Sequence, residues 1–441
     1  MNLQKLLLQG LIWRGLYFIS LLLVNVFISR YLQASLTGWV YYISNIFSVS
    51  LIAAGVSMDS AINYFAPDAK IQRNKIAWLA GLWSIVTIIL SAAVVFIYLL
   101  FESDTVKIQA ANYYFFGACY FAGIFLYGSG ASLYYSQNNY WLPNLLLSSL
   151  NFLLILLIPK TINATNVNEA LPVLHIYFLN FFLQGFLVWL VYMIQSKFLM
   201  KLQMPAAAEM KFFFKYAVTA MAGNMIFFLV YRIDYLFVNA SPVCTSADLG
   251  NYIQVSKLGQ MLLIIPQIIA SVIFPRTASG EGRKELHASL MILARLFSQL
   301  YLLILLVTIF FGHEIFTWLF GETFNEMQLP FIILVPGIFF LSVLQLLSAY
   351  FGGKGKIRVN LYGALIALLI VVAGDYLFVP RYGIVAAAAV STAGYAVNMA
   401  YPLYVFYKDY SISFIEFFRW RMSDYVWLKE LFAKSELAGL K

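Results

Sequence analysis

The chain has 441 residues, 62% hydrophobic and only 11% charged, with a net charge of +9 and a mean hydropathy of +0.82. A soluble protein carries roughly 25% charged and 45–50% apolar residues, so this chain has too little polar surface to face water on all sides. Its apolar runs are ~20 residues or longer, the length of a helix across ~30 Å of hydrocarbon, which excludes a barrel of short alternating strands as well.

Twelve helices are predicted, at 8–29, 37–64, 76–100, 111–134, 141–158, 172–195, 212–239, 249–274, 288–311, 328–351, 358–378 and 383–406. The first run, from Leu11, is too long for a cleaved leader and lacks a small-residue cleavage site, so the first helix itself is expected to target the chain to the membrane. Alternate loops divide by charge. One side holds Lys5; Lys70, Arg73 and Lys75; Lys197, Lys201, Lys211 and Lys215; Arg276, Arg283 and Lys284; Lys354, Lys356 and Arg358; and the basic residues of the tail. The other side holds Arg30, Lys107, Lys160 and Arg381. This bias predicts both termini in the cytoplasm.

The chain repeats weakly. Gly38-Trp39-Val40-Tyr41 opens the second helix and Gly250-Asn251-Tyr252 the eighth; Ala66-Pro67 closes one and Phe274-Pro275 the other. Two halves of like orientation imply a two-fold axis along the membrane normal and a cavity near the midplane. The expectation is an all-α integral membrane protein of about twelve transmembrane helices in two six-helix lobes, 1–195 and 212–406, related by that pseudo-two-fold axis. A cytoplasmic linker, 196–211, joins them. The tail, 407–441, mixes Phe414, Phe417, Trp420 and Trp427 with Arg419, Arg421 and Lys429, and reads as an interfacial amphipathic helix. Pro266 and Pro336 fall inside helices eight and ten and are expected to kink them, as bending points or as static bends. Cys119 and Cys244 make no disulfide framework.

The ionisable residues inside apolar runs single out 231–284, where Arg232, Asp234 and Lys257 lie. Such groups cost at least ~2.5 kcal/mol each at the bilayer centre unless they face a partner or a water-filled cavity.

Several runs carry a resemblance: Ile28-Ser29-Arg30-Tyr31-Leu32, Ala54-Gly55-Val56-Ser57-Met58-Asp59-Ser60-Ala61, Arg232-Ile233-Asp234, Leu249-Gly250-Asn251-Tyr252, Leu319-Phe320-Gly321-Glu322 and Val379-Pro380-Arg381-Tyr382-Gly383. In order and spacing they resemble the bacterial polysaccharide exporters, the O-antigen-type flippases of the multidrug/oligosaccharidyl-lipid/polysaccharide exporter superfamily. The resemblance covers nearly the whole chain to about 406. It departs at Ser35-Leu36-Thr37, where the family often has a more acidic run, and in the 240–246 loop. The resemblance implies twelve helices in two lobes, a V-shaped cavity and translocation of undecaprenyl-pyrophosphate-linked oligosaccharide (an O-antigen, capsule or exopolysaccharide unit) across a bacterial inner membrane.

For such a headgroup the candidate binding residues are Arg14, Arg232 and Lys257. Arg232 and Lys257 are each ~8 residues from the outer end of adjacent helices, so ~12 Å deep at 1.5 Å per residue. Arginine offers a bidentate fork to pyrophosphate and lysine a point charge. Arg14, near the cytoplasmic end of the first helix, either meets the incoming headgroup or snorkels to lipid headgroups. Asp234 lies ~200° around the helix from Arg232 and so needs another partner, Lys257 being nearest by depth. Asp234 and Asp59 are candidates for ion coupling or a cavity ion pair, Asp59 pairing with Arg14 or acting as a gate. Asp375 and Arg381 are expected at the interface, and His175 at the start of helix six. Tyr41, Tyr113, Tyr120, Tyr127 and Tyr135 offer sugar-facing surface, none singled out.

The leading expectation is therefore an alternating-access flippase. The alternatives are an ion-coupled multidrug or cation antiporter of the same superfamily, or a membrane glycosyltransferase or ligase. The last is disfavoured by short outer loops, three histidines and the lack of DxD or His-Glu-x-x-His spacing. No enzyme activity, cofactor or metal is expected, and Na+ or H+ is the candidate coupling ion. Expected partners are the lipid-linked oligosaccharide, membrane lipids and glycan polymerase or assembly proteins, with no nucleic acid.

Overall fold

The computed structural model describes residues 3–67, 71–101, 108–160, 163–196, 203–279, 283–410 and 417–426. Lys70, Lys107, Lys197, Lys201, Phe414, Trp427, Lys429 and most of the expected tail helix lie outside the described residues, as do linker residues 197–202. Among the described residues every regular element is helical. The helices are α1 (Leu3–Ala54), α2 (Met58–Phe65), α3 (Arg73–Phe101), α4 (Ala110–Tyr135), α5 (Trp141–Leu157), α6 (Val167–Ser196) and α7 (Ala207–Arg232). They continue with α8 (Asp234–Ala240), α9 (Ser246–Leu262), α10 (Ile264–Ser279), α11 (Arg283–Phe320), α12 (Gln328–Gly353) and α13 (Ile357–Tyr410), with a 3-10 turn at Glu322–Phe324. Among the described residues, nine helical spans are long and apolar enough to cross a membrane. Their outer faces present large apolar side chains, such as Ile89 and Leu100 of α3, Phe310 of α11 and Leu369 of α13. Apolar surface on this scale needs lipid against it. The chain is an all-helical, multi-pass membrane protein.

The expected spans fall on these helices, and the differences lie at their breaks. α1 runs through the first two spans and bends at Gln33 (φ 60°, ψ 173°). The orphan N–H of Ala34 after the bend is satisfied by the Thr323 hydroxyl at 3.0 Å, and that hydroxyl donates to Gln33 Oε1 at 3.1 Å. Val56 and Ser57, both at positive φ, separate α1 from α2. Gly383 (φ 60°) likewise bends α13 between the last two spans. Pro266 follows the break between α9 and α10. Proline has no N–H for the Leu262 carbonyl four residues back, and the Tyr301 hydroxyl donates to that carbonyl at 3.2 Å instead. Pro336, by contrast, stays inside a continuous α12.

One compact unit comprises Met1–Asn239, Cys244–Ile253 and Phe316–Asn325. Within it α4 and α6 touch backbone to backbone. A Cβ on Gly123 would lie 2.2 Å from Phe181 O, and one on Gly185 2.2 Å from Gly123 O. Small residues permit this approach in lipid, where dispersion rather than water release drives packing. A buried amide network ties α5 to α1 and α6: Asn151 donates to Ser20 Oγ at 2.9 Å and accepts from Gln184 at 2.7 Å and Asn180 at 3.3 Å. The two glycines of the repeat also meet here. A Cβ on Gly38 would lie 2.4 Å from Ser246 O and one on Gly250 2.0 Å from Ala34 O. Ala34 and Ser246 each stand four residues before their glycine, so the contact is reciprocal.

The other unit comprises Ala240–Val243, Gln254–Ile315 and Glu326–Lys441. The described part of the tail packs onto it. Asp424 (1% exposed) takes a bidentate pair from Arg295 of α11 (4% exposed), both contacts at 2.7 Å. Trp420 donates to Ser298 Oγ at 2.8 Å, and Phe417 packs on Phe406 of α13 at 5.5 Å. Two sequence expectations are corrected. Asp375 is not interfacial but fully buried (0% exposed), because α13 runs on past it to Gly383. His175 does not start its helix. α6 begins at Val167, where Asn166 caps the Glu169 N–H at 3.1 Å, and the His175 ring packs on Phe115 and Phe116 of α4 at 5.1 and 5.4 Å.

Candidate functional site

Four tyrosines of α4, at 113, 120, 127 and 134, recur every seven residues and therefore share one stripe of the helix. The middle of that stripe faces a cavity of about 410 Å³ in the first unit. Ser48 of α1, Asp59 of α2, Tyr120 and Tyr127 of α4 and Asn224 of α7 line it among apolar neighbours such as Phe125 and Phe228. The volume falls in the ~300–1,000 Å³ range of small-molecule sites, and an apolar lining with a few placed polar groups is usual for them. Tyr120 shares a 2.6 Å hydrogen bond with Ser48, and Asn224 donates to Ser57 Oγ at 3.1 Å.

Two arginines of the same unit are held on tyrosine rings. Arg14 sits over the Tyr135 ring at 4.8 Å and the Tyr140 ring at 5.4 Å, the two rings being stacked on each other at 5.1 Å. Tyr17 packs on Tyr127 at 5.9 Å. Arg232, at the end of α7, donates to the Tyr235 hydroxyl at 3.3 Å and lies over that ring at 5.4 Å. A guanidinium held on aromatic faces keeps its charge while losing little to desolvation, ~0.5–2 kcal/mol of attraction per contact. Hydroxyls, aromatic faces and cations of one unit can receive an anionic head and the polar rings attached to it.

Asp234 is 1% exposed. The chain breaks at Ile233, and the Asp234 carboxylate accepts the N–H of Tyr235 at 2.9 Å, starting α8, and the Tyr252 hydroxyl. Asp59 opens onto the cavity and, among the described residues, enters no ion pair; Arg14 is held by its tyrosines instead, so the expected Asp59–Arg14 pair is not formed. Lys257 is half-buried and belongs to the other unit. The structure thus places Asp59 on the wall of the tyrosine-lined cavity, Arg14 on Tyr135 at the end of α4, and Arg232 on Tyr235 of α8. Among the described residues no three of His, Cys, Asp and Glu come together as a metal site would require. Sequence reasoning missed two features. The seven-residue spacing of the tyrosines was a legible signal for the stripe. Arg295, inside an apolar run, was a legible intramembrane cation, though its partner Asp424 lies 129 residues away.

Residues 177–329 match a family model described as "Polysaccharide biosynthesis protein". No curated protein matches the chain. Among solved structures, the chain is similar to a point mutant of the MATE transporter VcmN of Vibrio cholerae, at 16% identity and TM-score 0.63 over 94% of this chain and 98% of that one. It is also similar to the lipid II flippase MurJ in an inward closed conformation, at 14% identity and TM-score 0.65 over 92% and 88%. An inward-facing multidrug resistance MATE family transporter of the MOP superfamily aligns at 14% identity and TM-score 0.67 over 90% and 94%. The chain has the fold of these transporter structures.

Proposed function

Starting from that transporter fold, we propose that this chain is a flippase for polyprenyl-pyrophosphate-linked oligosaccharide of a bacterial inner membrane. The observation that carries the reading is a tyrosine-lined cavity in a unit that holds two arginines, Arg14 and Arg232, on tyrosine rings. The pyrophosphate would meet the arginines and the sugars the tyrosines, while the polyprenyl tail stays in lipid. Lys257 would add a third cation from α9, and Asp234 would hold the start of α8 or couple transport to an ion. The two six-helix lobes, 1–195 and 212–406, the 196–211 linker and the cytoplasmic termini belong to this proposal. Alternating access would need only differential binding to two conformations. The family match over 177–329 and the likeness to a lipid II flippase support the cargo class.

The test is the leaflet distribution of lipid-linked glycan in cells lacking the protein, read with a membrane-impermeant probe. The reading expects accumulation on the cytoplasmic leaflet, restored by the wild-type chain and not by Arg232→Ala. A second reading, an ion-coupled multidrug antiporter, is favoured by the Asp59 carboxylate on the cavity wall. It expects no glycan accumulation, sensitivity to cationic drugs, and loss of resistance in Asp59→Asn.

A further inference from the structure

A second cavity of about 530 Å³ lies in the first unit, between the bend of α1, the loop after α5 and the turn after α11. All three segments fall in loops that the charge bias of the sequence puts opposite the basic loops. Arg30, Lys160 and Glu322 line it, and among the described residues they form no ion pair. The amides of Gln33 and Asn163 and the ring of Phe27 also line it, and Lys160 lies over that ring at 5.9 Å.

The wall of this cavity is held in unusual backbone. Gln33 (φ 60°) and Gly321 (φ 104°) both line it. A non-glycine residue at positive φ persists where its surroundings over-determine it, and such outliers cluster at ligand clamps. Here Thr323 supplies the restraint, bonding both Gln33 Oε1 and the Ala34 N–H.

We propose that this cavity is a binding site for an acidic sugar on the face opposite the basic loops. The cations take the carboxylate or phosphate substituent. The Asn163 amide, with a donor and an acceptor side by side, and the Glu322 carboxylate take ring hydroxyls, and Phe27 takes an apolar sugar face. The Glu322 carboxylate on the same wall repels a bare phosphate, whose whole surface is anionic, more than a sugar that carries its charge on one substituent. This inference goes beyond the flippase reading and holds whatever cargo the α4 cavity carries.

The full chain in phosphatidylcholine nanodiscs is titrated with a galacturonic acid trisaccharide and with maltotriose by calorimetry. The acidic trisaccharide is expected to bind at least ~10-fold more tightly than the neutral one, since a hydrogen bond to a charged group contributes ~1.5–3 kcal/mol. Arg30→Gln and Lys160→Gln, both at exposed positions that leave the fold intact, are each expected to weaken it ~10-fold by the same reasoning, and Arg232→Ala to leave it unchanged. Equal binding of the two sugars overturns the proposal, as does acidic-sugar binding that survives both substitutions. Loss in Arg232→Ala overturns it by assigning the sugar to the α4 cavity. Competition by phosphatidylglycerol nanodiscs overturns it in favour of a lipid headgroup.

Discussion

Asp424→Ala should unmake the tail's attachment at a measurable cost. Arg295 is 4% exposed, and its guanidinium donates two 2.7 Å hydrogen bonds to that carboxylate. Removing one partner of a buried pair leaves an uncompensated charge, at a cost of ~3–5 kcal/mol. With an unfolding entropy of ~2.1 cal/mol/K per residue, ~4 kcal/mol over a chain of this length lowers the apparent Tm by about 4 °C. The double substitution Arg295→Met/Asp424→Leu removes both charges and keeps apolar volume, so it should lie within ~1 °C of wild type, since such replacements are often neutral. The assay is thermal challenge of the detergent-solubilised protein followed by size-exclusion fluorescence. If the two single substitutions to Ala add in their double mutant with no coupling, the pair does not hold the tail, and the reasoning fails.

Other perturbations probe the fold and the site. Gly123→Val places a side chain where a Cβ is already 2.2 Å from Phe181 O, so α4 and α6 must part; a sharp drop in the monodisperse fraction is expected, and normal yield would contradict the contact. Tyr301→Phe leaves the Leu262 carbonyl without its hydroxyl donor and should cost ~1–3 kcal/mol. In a Pro266→Ala background, where the backbone N–H returns, the same change should cost little; equal losses in both backgrounds would reject the compensation. Asn151→Leu takes the acceptor from Gln184 and Asn180 and should lower the apparent Tm, whereas unchanged melting would show that the network carries no stability. Asp59→Asn should leave glycan translocation intact under the flippase reading, and its loss would turn the account towards ion coupling.

The spans were legible because long apolar runs leave a helix no alternative in hydrocarbon, where every backbone group must be satisfied within the segment. The breaks were less so. Gln33 is an ordinary residue in the sequence, and its bend exists because Thr323, far along the chain, caps the helix that follows. Asp375 near a predicted helix end looked interfacial, since nothing local reveals that α13 continues past it. In the site, Arg14 and Arg232 stood out by their cost in an apolar run. What holds them did not, because tyrosine is common here (30 residues) and its role depends on which rings meet in space. The repeat glycines were legible as a pair, but their reciprocal contact needed coordinates.

The central claim is tested most directly by reconstitution. The purified chain in proteoliposomes is given a fluorescent undecaprenyl-pyrophosphate trisaccharide, and a membrane-impermeant quencher reports its leaflet. The account predicts protein-dependent translocation, with Arg232→Gln weakening the apparent affinity ~10-fold or more, the loss expected for a hydrogen-bonded charge of ~1.5–3 kcal/mol. Translocation that is absent with the wild-type chain, or indifferent to both Arg14→Gln and Arg232→Gln, would contradict it.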